Sequence, residues 1–174
     1  ALVLGKAIGT GIILTAAKRD SVQPEHLEAA VQSMLQLNRH ASHLARKAGA
    51  HALTDVTGFA IIGHALEIAD RSGVRLVIDS AALPLLPGAL DYALAGVEFG
   101  GVNRNRNQLG PRADIAESVS KEMRALLFDP QTSGGLLIAL DGSRADGLVA
   151  ELRASGYAAA RIGHVTEGAG VQIV

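Results

Sequence analysis

The chain has 174 residues, no cysteine, and 16 Lys plus Arg against 17 Asp plus Glu, for a formal charge of -1. Without thiols this segment holds no disulfide, no thiolate metal site and no cysteine nucleophile, and without net charge no overall field steers it to nucleic acid or an acidic membrane. Hydrophobic residues make up 48% and aromatics only 3%, so the interior is built from aliphatic side chains and there is no ring-rich surface for stacking bases.

The length suffices for one domain with its own core. No apolar run approaches the roughly 20 residues that span a bilayer, and the opening ALVLGKAIGTG lacks the basic and apolar regions of a signal peptide. A cytoplasmic location is the simplest expectation. The opening also lacks Met and enters at once on a strand-like run, which suggests that further sequence precedes it.

Leu2 to Lys6 reads as a strand that runs into the turn Gly9-Thr10-Gly11, and Ile12 to Lys18 as a helix. Pro24 suits a first helical position. Leu27, Val31, Met34, Leu35 and Leu37 then recur at helical spacing, and we read one long helix that stops at Gly49. His51 to Asp55 is a brief strand. Thr57 is placed to cap a helix carrying Phe59, Ile62, Leu66 and Ala69, with Gly73 as its stop. Val74 to Asp79 is the next strand. Ala82 to Gly101 reads as a loop with one short helix around Ala89 to Leu94, and Asn103 to Arg112 as an exposed polar loop. A helix over Ser118 to Leu127 leads to the turn Asp129 to Gly135 and a strand over Leu136 to Leu140. Ser143 and Asp146 resemble a capping box for a helix to Arg153 that ends at Gly156. Strands over Ala159 to Val165 and Val171 to Val174 close the chain. Alternating elements without a repeat indicate an α+β or mixed α/β layered fold.

Three segments combine mobile backbone with polar side chains: Gly9-Thr10-Gly11, Asp55-Val56-Thr57-Gly58 and Asp129 to Gly135 (DPQTSGG). Singly, each is what a chain reversal requires, and none is a P-loop or a dinucleotide-binding fingerprint. Asp55 ends a strand just before a helix, where its carboxylate suits a hard cation such as Mg²⁺. One Asp alone makes no such site, and an ordinary turn aspartate bonded to the amides of Thr57 and Gly58 fits the spacing as well. His40 and His43 share a helix face but lack a third ligand. His64, on an apolar helix, reads as a partnered core histidine, and Arg104, Arg106 and Arg112 as solvated charges.

Taken together, TDVTGFAIIGH (Thr54 to His64), LFDPQTSGGLL (Leu127 to Leu137), the opening LVLGKAIGTGI and LPLLPGALDYALAGVEFGGVNRN closely resemble the C-terminal domain of selenide, water dikinases. The resemblance covers nearly the whole chain in the same order. It implies a three-layer α/β/α domain of the superfamily that includes aminoimidazole ribonucleotide synthetase. The implied activity converts ATP, selenide and water to selenophosphate, AMP and phosphate, in a two-domain, usually dimeric enzyme. By the same resemblance most Mg²⁺ and ATP ligands, and a reactive Cys or selenocysteine with its Lys, belong to an N-terminal domain, so this chain alone is expected to be inactive. Asp55 matches a Mg²⁺-directed aspartate. Thr57 and Gly58 would orient its loop, and Thr132, Ser133, Gly134 and Gly135 could offer hydroxyls and amides to an anion. The family commonly has Thr before Lys6, Pro after it and Gly at position 60, where this chain has Gly5, Ala7 and Ala60. A non-catalytic binding domain, or a related ATP-dependent kinase or synthetase, stays open beside this reading.

Overall fold

The computed structural model describes residues 1–97 and 100–174. In chain order the elements are β1 (Leu2–Leu4), α1 (Thr10–Lys18), α2 (Pro24–Leu35), α3 (Arg39–Lys47), β2 (Ala52–Asp55), α4 (Ala60–Ser72), β3 (Arg75–Ile78), α5 (Ala89–Leu94), α6 (Gly100–Leu109), β4 (Ala113–Ile115), α7 (Lys121–Leu127), β5 (Leu136–Ala139), α8 (Gly142–Ala154), β6 (Ala160–Thr166) and β7 (Gly170–Ile173). The strands form one sheet in the order β2-β5-β1-β6-β3-β7-β4. Pairing is antiparallel from β2 through β3 and parallel where β7 joins β3 and β4.

The pleat sorts side chains between two helical layers. Leu2 and Leu4 of β1 and Leu137 and Ala139 of β5 join the larger core with residues of α1, α4 and α7. Val3, Leu136 and Ile138, one position out of phase, join a second core with Ala41 and Ala45 of α3 and Leu148 and Leu152 of α8. Successive strand residues point to opposite faces, so strands buried on both sides read as unbroken apolar runs. The expected α/β/α layering is what the chain adopts.

Several boundaries differ from the sequence reading. The long helix to Gly49 is two helices. Gln36 turns to φ −67°, ψ 114°, and the carbonyls freed there find other donors. Lys6 Nζ donates to Ser33 O (3.0 Å) and Gln36 O (2.6 Å), Ser133 Oγ to Met34 O (2.8 Å), and Tyr157 Oη to Leu37 O (2.7 Å). Helix ends must satisfy such carbonyls somehow, and here distant residues do so, which local periodicity could not reveal.

Asn103 to Arg112 is not an exposed loop: most of it is α6. Its Asn105 is 4% exposed because its amide donates to Gly58 O (3.0 Å) and Phe128 O (3.2 Å), so tertiary bonds override weak helix propensity. The strand β4 escaped notice because its alternation, Ala-Asp-Ile, is only three residues long, too short to stand out as a strand. The short helix over Ala89 to Leu94 forms as expected, while positions 98–99 of the expected Ala82 to Gly101 loop lie outside the described residues.

Two caps are also reassigned. Asp141, not Ser143, opens α8, accepting from Ser143 N (2.8 Å) and Ser143 Oγ (2.6 Å). The residue before α4 is Phe59, with no side-chain cap, and the Thr57 hydroxyl is turned elsewhere. Ala60 is no ordinary helix-interior alanine, since its φ is 60°. That left-handed geometry favours glycine, which gives a physical reason for glycine in the family at this position.

Candidate functional site

The sheet brings all three polar segments together. β1 lies beside β5, and β5 beside β2, so the ends of β1 and β2 and the loop entering β5 meet at one edge of the molecule. The DPQTSGG loop is the centrepiece. Gln131 Oε1 accepts from Gly9 N (3.0 Å), Thr10 N (3.2 Å) and Thr10 Oγ1 (3.1 Å). Asp129 Oδ2 accepts from Gly11 N (3.1 Å) and from Gln131 Nε2 (2.9 Å). Thr132 N in turn donates to Thr10 Oγ1 (2.9 Å). The start of α1 is therefore capped by side chains from more than a hundred residues away, and the Gly9-Thr10-Gly11 turn is a joint between loops, its amides engaged, rather than an open anion cradle.

The same loop grips the Asp55 segment. Val56 N donates to Gly135 O (2.8 Å) and Gln131 N to Thr57 O (3.0 Å). Gly134 packs so closely that a Cβ there would overlap Val56 O and press within 3.0 Å of Gln131 Cβ, and a Cβ on Gly135 would overlap the Lys6 backbone. Gly134→Ala is thus expected to destabilise the protein by about 2 kcal/mol or more through overpacking. Urea denaturation would measure this, and amide chemical shifts should move as far as Asp55 and Thr57.

Asp129 is fully buried and its Oδ1 finds no hydrogen-bond partner among the described residues. Burial pushes its carboxyl up from the usual 3.8 to about 7, against the opposing bonds from Gln131, Ile12 and Gly11. Lys6 is 1% exposed, and its ammonium completes its three donors with Ser133 O at 2.8 Å. Burial also lowers its pKa below the ordinary 10.5. Neither group was singled out from the sequence as a site residue, because Lys6 lies in an apolar strand run and Asp129 in a turn where aspartate is commonplace.

Asp55 is exposed at the end of the edge strand β2. Thr57 and Gly58 follow it, and no hydrogen bond from either amide to its carboxylate is present among the described residues, so it is not the self-bonded turn aspartate that spacing allowed. Ser133, at φ 51°, uses its hydroxyl on Met34 O. Thr132 is exposed, and Gly134 and Gly135 are buried. His64 is a partnered, 7%-exposed residue as its helix position suggested, with Nε2 3.2 Å from Thr57 Oγ1 and Nδ1 3.1 Å from Glu67 Oε2. Arg112 pairs with Asp70 at 2.6 Å. Among the described residues no group of three His, Asp or Glu could hold a metal, and no helix is long and apolar enough to cross a membrane.

A layered α/β/α sheet whose strand ends are bound together by a Gly-rich loop defines the class. The chain belongs to the family described as AIR synthase related protein, C-terminal domain, whose model matches residues 1–174. It is 41% identical over 169 residues to a selenide, water dikinase of Pseudomonas straminea, covering 97% of this chain and 47% of that protein. It is 42% identical over 167 residues to a selenide, water dikinase of Pelobacter propionicus, covering 95% and 48%. The resemblance to the C-terminal part of selenide, water dikinases thus holds, and the chain spans about half the length of the curated relatives it matches. Among solved structures, thiamine-monophosphate kinase from Stenotrophomonas maltophilia K279a shares the fold with a TM-score of 0.67 at 19% identity, over 99% of this chain and 49% of that one. The E. coli hydrogenase maturation protein HypE does so with a TM-score of 0.65 at 22% identity, over 99% and 44%.

Proposed function

We propose that this chain is the C-terminal half of an ATP-dependent selenophosphate synthetase, which turns ATP, selenide and water into selenophosphate, AMP and phosphate. The identity of about 40% to proteins named selenide, water dikinase supports the reaction. The observation that carries a role for this half is Asp55: an exposed carboxylate with no hydrogen bond among the described residues, on a backbone clamped at Val56 and Thr57 by the DPQTSGG loop. A free oxygen donor on a fixed strand end fits Mg²⁺, which commonly takes one or two carboxylates and completes its shell with water and phosphate. When bound, the cation would neutralise charge on the phosphates of ATP.

In this reading Asp55 reaches toward the cation, Thr57 and Gly58 set the direction of its loop, and Gly134 and Gly135 permit the close packing that fixes it. Thr132 and Ser133 are exposed members of that loop. Ser133 serves by tying the loop to α2. The remaining ligands come from an N-terminal domain, and exposed Leu53 (39%) and Phe59 (54%) on either side of Asp55 suit a face that such a domain covers.

Calorimetry with Mg²⁺-ATP should show no tight binding to the 174-residue chain and clear binding to the protein that joins it to its N-terminal half. In the joined protein, Asp55→Asn is expected to lower selenide-dependent AMP formation about 100-fold, the loss of some 2.7 kcal/mol of charge stabilisation. AMP formation indifferent to selenide, or unchanged in Asp55→Asn, would overturn the reading.

A further inference from the structure

Thr57, His64 and Glu67 form a chain of contacts in which the function above leaves His64 and Glu67 without a task. The imidazole of His64 is buried, while the Glu67 side chain at its far end is 49% exposed. The ring of Phe59 lies against that of His64, with centroids 5.9 Å apart. A carboxylate only accepts hydrogen bonds, so the Nδ1 that faces Glu67 Oε2 carries a proton. In a neutral imidazole the other nitrogen, Nε2, is then a bare acceptor, and the group facing it is the Thr57 hydroxyl. The Thr57 proton is drawn toward the ring, and the lone pairs of Oγ1 are left pointing away from it, two residues beyond Asp55.

We propose that His64 and Glu67 are positioning residues that fix the Thr57 hydroxyl as an oxygen acceptor, so that the end of β2 receives a divalent cation or its bound water rather than a bare phosphate oxygen. The cation part of this inference rests on the reading of Asp55 given above. With the opposite tautomer, Nε2–H would donate to Thr57, whose own proton would be free to meet a phosphate oxygen. Glu67 therefore selects, through one ring, which edge of a metal-nucleotide the loop can accept. This is the outer-layer arrangement by which carboxylates set histidine tautomers at many sites.

The tautomer is read directly from long-range proton–nitrogen NMR correlations on the histidine-labelled chain, with no metal added. The expected result is a protonated Nδ1 and an unprotonated Nε2 at His64. Glu67→Ala should produce a mixture of tautomers, and Glu67→Gln, whose carbonyl oxygen still accepts from Nδ1, should restore the native form. In the joined protein, Glu67→Ala should weaken Mn²⁺ binding about tenfold, at the low end for such outer partners, and Glu67→Gln should not. A native Nε2–H tautomer, or Glu67→Ala with unaltered tautomer and Mn²⁺ affinity, would sink the inference. Mn²⁺ affinity that ignores Asp55→Asn would instead sink the metal reading, while the tautomer result continues to judge the relay.

Discussion

Lys6→Met is expected to lower the unfolding free energy by about 3–5 kcal/mol, since three carbonyls lose a charged donor at roughly 1–3 kcal/mol apiece. For a chain of this size that is a fall in Tm of roughly 10 °C. The methionine preserves much of the apolar stem, so the loss isolates the ammonium. Its three donors end on the Ser33, Gln36 and Ser133 carbonyls in part-buried bonds, and each carbonyl loses its charged donor once the ammonium is gone. Lys6→Arg should not rescue, because a planar guanidinium fork cannot reproduce three bonds radiating from one nitrogen. Thermal denaturation followed by circular dichroism measures the effect. A loss below about 1 kcal/mol would mean that water replaces the ammonium and that the break between α2 and α3 does not depend on it.

The second large effect concerns pH. Asp129 has its folded pKa raised from 3.8 to about 7, so the folded protein holds a proton there that the unfolded chain releases. Stability from this group is fully present below about pH 4 and is lost as pH rises toward 7. The difference is on the order of 4 kcal/mol. Urea midpoints measured from pH 5 to pH 8 should therefore fall, against the usual trend for paired carboxylates. Asp129→Asn, which cannot ionise, should flatten that slope. Asp129→Ala should destabilise at every pH, since the amides at the start of α1 lose their acceptor. A slope identical in native and Asp129→Asn proteins would show that the carboxyl is already ionised when folded.

The layered fold was legible because it rests on local signals: unbroken apolar runs at β1 and β5, helical spacing in α4 and α8, and glycines where chains reverse. The candidate site was legible only as three separate segments. Their joining through Gln131, Asp129 and Thr10 depends on the order of strands in the sheet, which no spacing encodes. The split between α2 and α3 was hidden for the same reason, since Lys6, Ser133 and Tyr157 reach it from remote parts of the chain. Ala60 shows a subtler limit. As a residue type it favours helix, and the dihedral angle supplies the physical reason for the glycine that the family commonly has there. Thr57 looked like a helix cap because caps are the commonest use of threonine before a helix, whereas its partner, His64, stands about one turn along α4.

The bonds that join the Gly9-Thr10-Gly11 turn to the DPQTSGG loop link residues 118 to 122 positions apart, and β1 is flanked by β5 and β6. Closing loops of that length before any bond forms is slow relative to building local helices. The first strand must therefore wait, apolar and unpaired, until the last third of the chain is available to enclose it. On a ribosome adding residues at about 5–20 per second, that leaves several seconds in which LVLG is open to wrong partners. The clamp that holds Asp55 in place would then be among the last parts of the molecule to form and among the first to fail when folding is hurried.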